Sequence, residues 1–366
     1  MSEILGVRFA TRRLLNNTSY WDRDDISIPK TDLTPEKEPE LRAKLAPFIA
    51  EIVANPDLIL RDEYTLEERV KDWKSLCKKA VIKDGEVLPI DTRSRPGHKL
   101  LDHWMTHFYD VQNWKGISVR SLVTAAQMEK AFLTNIQMHS TPYKSEIRRM
   151  LVMTGGLGNV TKYRAVTSKS IVEFFGAKKV LDPCIGWGGR MLGSLAAGAE
   201  YTGCEPDPNT ARGLRGILRD IGKEAEADIL DMPAEMGLLG ITSGEFDLVL
   251  TSPPYFNLEL YTAGDQSTTN HPTWDEWVET WLKPVILSCL GKLRAGGTSC
   301  WSVKNFKTDK AYPLADVTKK IHADAGWLLV KTVTMRGSGR MGGGRIVDGG
   351  ESRGSEEDTF CFQRSC

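Results

Sequence analysis

Lys178-Lys179-Val180-Leu181-Asp182-Pro183-Cys184-Ile185-Gly186-Trp187-Gly188-Gly189-Arg190 is the stretch that decides the fold. It reads as a short apolar strand, an Asp-Pro step, a glycine-rich turn and then a helix over residues 191–197. Strand, glycine turn and helix in that order open a nucleotide-type site in a doubly wound sheet. Gly186 and Gly188 permit positive φ and let a ligand approach the backbone closely. The spacing stops at G-x-G and no G-K-[ST] follows, so neither a dinucleotide site nor a triphosphate loop is supported.

Downstream, three more strand ends carry chemistry. Residues 200–204 read as a strand ending in Glu205, an acid able to take both hydroxyls of a ribose. Residues 225–230 read as a third strand edge, where Asp228 could accept from an adenine amine while the Ile229 N–H meets the ring. A fourth buried run, Phe246-Asp247-Leu248-Val249-Leu250, leads into Ser252-Pro253-Pro254-Tyr255. Proline cannot donate to a ladder, fixes its own φ and biases the preceding residue toward extended geometry, so this is a rigid turn at a strand end. Ser252 offers a hydroxyl and a carbonyl as acceptors, and Tyr255 offers a ring. That set suits gripping a planar ring that bears an amino group. Alone, S-P-P-Y is more often a structural turn; four motifs in order, each at a strand's C-terminal end, favour a site.

In these residues the chain resembles the amino-methyltransferases that use S-adenosylmethionine to methylate an exocyclic nitrogen of a DNA base. Asp182-Pro183-Cys184-Ile185-Gly186-Trp187-Gly188 matches their cofactor loop, D-P-F-x-G-x-G, with Cys184 in place of the usual Phe. Thr251-Ser252-Pro253-Pro254-Tyr255 matches their catalytic motif, [D/N/S]-P-P-[Y/F/W]. Residues 162–169 resemble the motif on the methionine side, with a helix after it over 170–175. The resemblance covers about residues 160–364.

The resemblance implies an α/β fold: a doubly wound, Rossmann-like methyltransferase sheet, mostly parallel with an antiparallel last strand. It implies S-adenosylmethionine held by Asp182, Pro183, Cys184, Gly186, Gly188, Glu205, Asp228, Ile229 and Thr167, with Ser252, Pro253, Pro254 and Tyr255 catalytic. Ser before Pro-Pro is commoner in the cytosine enzymes of that family, so cytosine-N4 methylation of DNA is expected ahead of adenine-N6 methylation. A duplex substrate would require base flipping. Such an enzyme would serve restriction–modification or a phage, in the cytoplasm of a prokaryotic or phage-infected cell. The competing readings are an RNA amino-methyltransferase, a small-molecule N-methyltransferase, and a catalytically silent nucleic-acid binder.

Composition sets outer limits. At 366 residues the chain holds one large or two medium domains. Its net charge is zero, so no global basic field announces a nucleic-acid partner. Seven Cys without a C-x-x-C pair argue against a metal site or a disulfide framework, and for a reducing compartment. No apolar stretch is long enough to suggest a membrane span.

Residues 1–155 read as a helical accessory domain for nucleic-acid recognition, with helices over 35–54, 64–80, 100–111 and 118–138. Residues 156–366 read as the methyltransferase domain, entered through the glycine-rich hinge at 154–159. Basic residues including Lys78 and Lys79 crowd 69–99; a solvated helix face is the usual reading, phosphate contact the functional one. Trp274, Trp277 and Trp281 fall at helical spacing within 274–293 and read as core. A strand over 298–303, a helix over 314–325, a strand over 327–334 and a terminal antiparallel strand over 358–363 complete the pattern. Between the last two strands, Arg336, Arg340, Arg345 and Arg353 in a glycine-rich loop suit either a clamp on phosphates or a plain surface loop.

Overall fold

The computed structural model describes residues 3–4, 7–8, 38–88, 95–138, 144–157, 161–261, 266–335 and 357–365. The helices are α1 (Glu38–Ala54), α2 (Leu66–Lys78), α3 (His98–Trp104), α4 (Ala125–Gln137), α5 (Lys144–Thr154), α6 (Ala165–Phe175), α7 (Gly189–Ala196), α8 (Pro208–Ile221), α9 (Lys283–Lys292) and α10 (Leu314–Asp324), with short turns between. The main strands are β1 (Lys179–Asp182), β2 (Glu200–Cys204), β3 (Ala227–Leu230), β4 (Phe246–Thr251), β5 (Leu293–Val303), β6 (Trp327–Met335) and β7 (Glu357–Arg364).

These seven strands form one sheet in the order β6-β7-β5-β4-β1-β2-β3. The β1–β2, β2–β3, β1–β4 and β4–β5 pairs are parallel, and β7 runs antiparallel to both β5 and β6. This is the expected Rossmann-like sheet, mostly parallel with its last strand reversed. The order doubles back between β1 and β4, so the crevice beyond their carboxyl ends is where such sheets bind ligands.

Local signals explain the elements. Val180 and Leu181 in β1, and Leu248, Val249 and Leu250 in β4, are fully buried, as central strands covered on both faces require. Leu181, Val249 and Trp301 join the core built with Trp277, Trp281, Ile286 and Leu314. Val180, Leu248 and Leu250 alternate with them toward the other face. Helix α8 starts at Asp207, whose side chain accepts from the Thr210 N–H at 2.9 Å, has Pro208 in its first turn, and stops at Gly222 with φ +63°.

The described residues fall into two compact units: Met1–Thr65, Met105–Thr161 and Glu259–Tyr261 in one, Leu66–Trp104, Lys162–Leu258 and Thr262–Cys366 in the other. The first is mainly helical with two short strand pairs, its core including Leu45, Phe48 and Ile52 of α1, Met128 and Phe132 of α4, and Ile147 and Met150 of α5. Its buried Asp62 takes two bonds from Arg148, at 2.7 and 2.9 Å.

The single boundary expected near residue 155 is therefore displaced, because α2 and α3 belong with the sheet. Arg69 of α2 pairs with Asp220 of α8 at 2.6 Å, and the Trp104 Nε1–H donates to the same carboxylate at 2.6 Å. Buried Lys169 of α6 donates to the carbonyls of Leu76, Cys77 and Lys79 at 2.7–3.1 Å, closing the end of α2. The expected helix over 274–293 is interrupted: Val278–Leu282 forms a π turn between Trp274–Trp277 and α9. Trp277 and Trp281 stack in the core as anticipated.

Candidate active site

Asp182 closes β1 with its carboxylate fully buried. Four partners donate to it: the Cys184 N–H at 3.0 Å, Arg190 Nε at 2.7 Å, the Tyr201 hydroxyl at 2.6 Å and the Thr251 hydroxyl at 2.7 Å. They come from the glycine loop, α7, β2 and β4, so one carboxylate ties four elements together. The bond from Thr251 matters most, because Thr251 immediately precedes Ser252. The cofactor-type loop and the S-P-P-Y turn are thus adjacent, each at the end of a central strand. Asp182 itself is saturated, so its part is to position the loop.

Arg190, read from sequence only as the last residue before the helix, is given no role there. Its guanidinium also donates to the carbonyls of Cys184 and Ile185 and lies 5.2 Å from the Tyr163 ring. Burial opposes its charge, and Asp182 more than offsets that, holding it firmly protonated. Gly188 opens α7 with φ +83°, and a Cβ on Gly189 would run into the Tyr163 carbonyl. The turn is glycine-rich for sterics as well as for ligand approach. Gly186 has φ +57° and open space where a Cβ would stand. Pro183 is buried, and Cys184, where the resembling family has Phe, packs against the core around Trp277.

Glu205 follows β2 and is 7% exposed. Its carboxylate accepts from the Gly186 N–H and the Asp207 N–H, both at 2.9 Å. Burial pushes its pKa up to about 7 despite those two bonds, and the like charges of Asp207 and Asp182 add to the rise. Two of about four acceptor positions are filled, leaving the others for a ligand hydroxyl pair.

Asp228 sits differently from the expectation. It lies inside β3 opposite Thr202 and is exposed, two residues short of the strand end at Leu230. Asp231 follows that end, engaged by Arg215 at 2.7 and 2.9 Å. Ile229 is buried, and its carbonyl takes a bond from Arg215. Thr167 is fully buried in the first turn of α6, which begins earlier than the expected helix over 170–175.

Near the loop two buried atoms lack a hydrogen-bond partner: His98 Nε2 and Arg164 Nη1. His98 starts α3 and Arg164 precedes α6, and Gly97 packs on Ala165, bringing the two together. Burial lowers the His98 pKa to about 3, although Asp102 opposes it, and burial lowers Arg164 to about 10. Unsatisfied buried polar atoms are uncommon and call for an explanation.

Ser252 is half-buried at the end of β4, and Pro253 is buried. Tyr255 is 8% exposed; its hydroxyl accepts from the Lys304 N–H at 3.1 Å, and Phe306 packs on its ring at 5.5 Å. These contacts fix the plane of the ring. Phe256 next to it has φ +37°, a strained value for a bulky residue. Trp274, Trp277 and Tyr312 surround its side chain and hold it there.

Lys78 ends α2 and Lys79 follows it; both are exposed. Arg336, Arg340, Arg345 and Arg353 lie outside the described residues. Among the described residues no group of three or more His, Cys, Asp or Glu could hold a metal, and no helix is long and apolar enough to cross a membrane.

No protein-family model and no curated protein matches the chain. It is similar in fold to solved structures at low identity. TrmN from Thermus thermophilus is 14% identical over 55% of this chain and 49% of its own, with a TM-score of 0.38. A SAM-dependent O-methyltransferase from Thermotoga maritima is 13% identical over 59% and 70%, with a TM-score of 0.36. The magnesium protoporphyrin IX methyltransferase of Synechocystis, solved with bound SAM, is 13% identical over 57% and 87%, with a TM-score of 0.35. The chain spans about half the length of TrmN.

Proposed function

We propose that this protein transfers a methyl group from S-adenosylmethionine to the exocyclic amine of a nucleobase, with N4 of cytosine in DNA as the first candidate. The observation that carries the reading is the bond from Thr251 to Asp182, which joins the S-P-P-Y turn to the glycine loop at the ends of paired strands.

The residues fit the cofactor. Glu205 would take the ribose hydroxyls, and the open space at Gly186 leaves room for the sugar. His98 and Arg164 would give their unpartnered nitrogens to the carboxylate of the amino-acid end. When bound, the sulfonium supplies an electrophilic methyl group.

The other half of the chemistry belongs to the turn. A base amine is a weak nucleophile, because its lone pair is delocalised into the ring. Accepting hydrogen bonds from the amine at the Ser252 hydroxyl and a turn carbonyl would localise that pair. The fixed plane of Tyr255 would orient the base. Orientation of this kind contributes roughly 7–11 kcal/mol to such reactions. It demands turns that do not move relative to each other, which is what the shared Asp182 anchor supplies.

The test is nucleoside mass spectrometry after incubating DNA and RNA separately with the purified protein and S-adenosylmethionine. N4-methylcytosine in DNA, absent with Ser252→Ala, is expected. N6-methyladenine, or modified RNA alone, would reassign the base or the polymer. No modified nucleoside from either would overturn the reading.

A further inference from the structure

Beyond β5 the chain makes a small hairpin, Phe306–Lys307 paired antiparallel with Ala311–Tyr312. It is fastened to the catalytic turn. The Lys304 N–H donates to the Tyr255 hydroxyl at 3.1 Å, and Phe306 packs on the Tyr255 ring. From the turn side, Asn257 Nδ2 donates to Asp309 at 3.1 Å and to the Tyr312 hydroxyl at 3.3 Å. Thr308 donates back to Asn257 Oδ1 at 3.0 Å.

Lys304, Lys307 and Lys310 are exposed on this hairpin. None has a carboxylate partner among the described residues; Lys310 lies 5.5 Å from the Tyr312 ring. Three lysines of α9 and α10 behave differently: Lys283 pairs with Glu279, Lys319 with Asp316 and Lys320 with Asp324. The one acid within the hairpin, Asp309, already accepts from Thr308, Tyr312 and Asn257, which hold its carboxyl well below the usual range. Trp274 is half-buried beside them, 5.1 Å from Tyr312. Phe306 and Tyr312 are buried, so the hairpin presents three exposed cations over a rigid aromatic base, a surface suited to contacts with phosphates.

We propose that the 304–312 hairpin is the nucleic-acid-binding wall of this protein, with Lys304, Lys307 and Lys310 taking the phosphates that flank the target base. The proposal rests on the nucleobase reading above and adds the element that grips the polymer. The hairpin needs no separate recognition domain to reach the site, because its anchor is the turn that would hold the base.

The experiment is fluorescence anisotropy with labelled single-stranded and duplex oligonucleotides over 25–200 mM salt, an illustrative range spanning about a decade in screening. The variant is Lys304→Gln/Lys307→Gln/Lys310→Gln; the control, with the same charge loss, is Lys283→Gln/Lys319→Gln/Lys320→Gln. Each lost phosphate contact lowers the log–log salt slope by about 0.9 on duplex or about 0.7 on a single strand. The hairpin variant should therefore lose about 2–3 units of slope on whichever form is the ligand, and bind at least about tenfold more weakly at the lowest salt. The control should keep the parental slope. An unchanged slope in the hairpin variant, or an equal loss in the control, overturns the proposal while the nucleobase reading stands. A parental protein that binds neither form and methylates neither polymer overturns both.

Discussion

Glu205 gives the sharpest test of the cofactor half. Its pKa of about 7 arises mainly from burial, so the folded protein binds a proton there that an unfolded carboxyl, at about 4.5, has already lost. A raised acid pKa makes the native state bind more protons than the unfolded one between those values, so this residue's contribution to stability falls as pH rises through the window. A shift of about 2.5 units corresponds to about 3 kcal/mol in full, and about 2–3 kcal/mol of it falls between pH 5 and 8. Urea unfolding of the wild type and of Glu205→Gln at those two pH values should show that much relative change. Ligand binding runs the opposite way. Ribose hydroxyls bond best to the ionised carboxylate, which is roughly one-tenth populated at pH 6 and nine-tenths at pH 8. Calorimetric affinity for S-adenosylhomocysteine should rise about tenfold across that range, with proton release on binding, and Glu205→Gln should be weaker and flat. A wild-type affinity that does not change with pH, or a Gln variant with the same pH dependence, would refute the assignment of Glu205 to the ribose.

Three further outcomes follow from the same geometry. Tyr255→Ala should reduce transfer by at least about a hundredfold with little change in S-adenosylhomocysteine affinity, if the ring serves the base as proposed; equal loss of both would mean its place is structural. Arg164→Ala should weaken S-adenosylhomocysteine about tenfold or more but leave 5′-methylthioadenosine, which lacks the amino-acid end, unaffected; parallel losses in calorimetry would dismiss the carboxylate role. Arg190→Met leaves Asp182 without its charged partner and should cost about 3–5 kcal/mol in chemical denaturation, with cofactor binding falling alongside; an unperturbed midpoint would show that Asp182 does not depend on it.

What could be read from the sequence was local. Alternation and turn residues placed β1, β2, β4, β6 and β7 within a residue or two, and the antiparallel last strand, implied by the resemblance, inserts between β5 and β6. The two motifs could be recognised because each is a run of adjacent residues with unusual backbone demands. What stayed hidden depends on distance along the chain. Nothing local in Leu66–Trp104 says that it packs on the sheet; the bonds that hold it join Arg69 to Asp220 and Lys169 to the end of α2. Asp228 was misplaced along its strand because a four-residue strand has no internal signal for where it stops, and the exit was set by pairing with β2. Nothing adjacent to Arg190 signals its role, which lies in the ion pair with buried Asp182 eight residues back.

Asp182 explains why two motifs about 70 residues apart can act as one site. A fully buried carboxylate is costly unless its lone pairs are filled, and here donors from the glycine loop, α7, β2 and β4 fill them together. An apolar residue in that place could pack as tightly, but it would tolerate small sliding of one turn against the other. Directional bonds to one charged centre do not, because moving any donor leaves a buried charge underbonded. The Thr251 hydroxyl carries that constraint to the S-P-P-Y turn, and the Lys304 N–H carries it from Tyr255 to the lysine hairpin. The glycine loop, the S-P-P-Y turn and the 304–312 hairpin thus form one hydrogen-bonded series anchored on a single buried carboxylate.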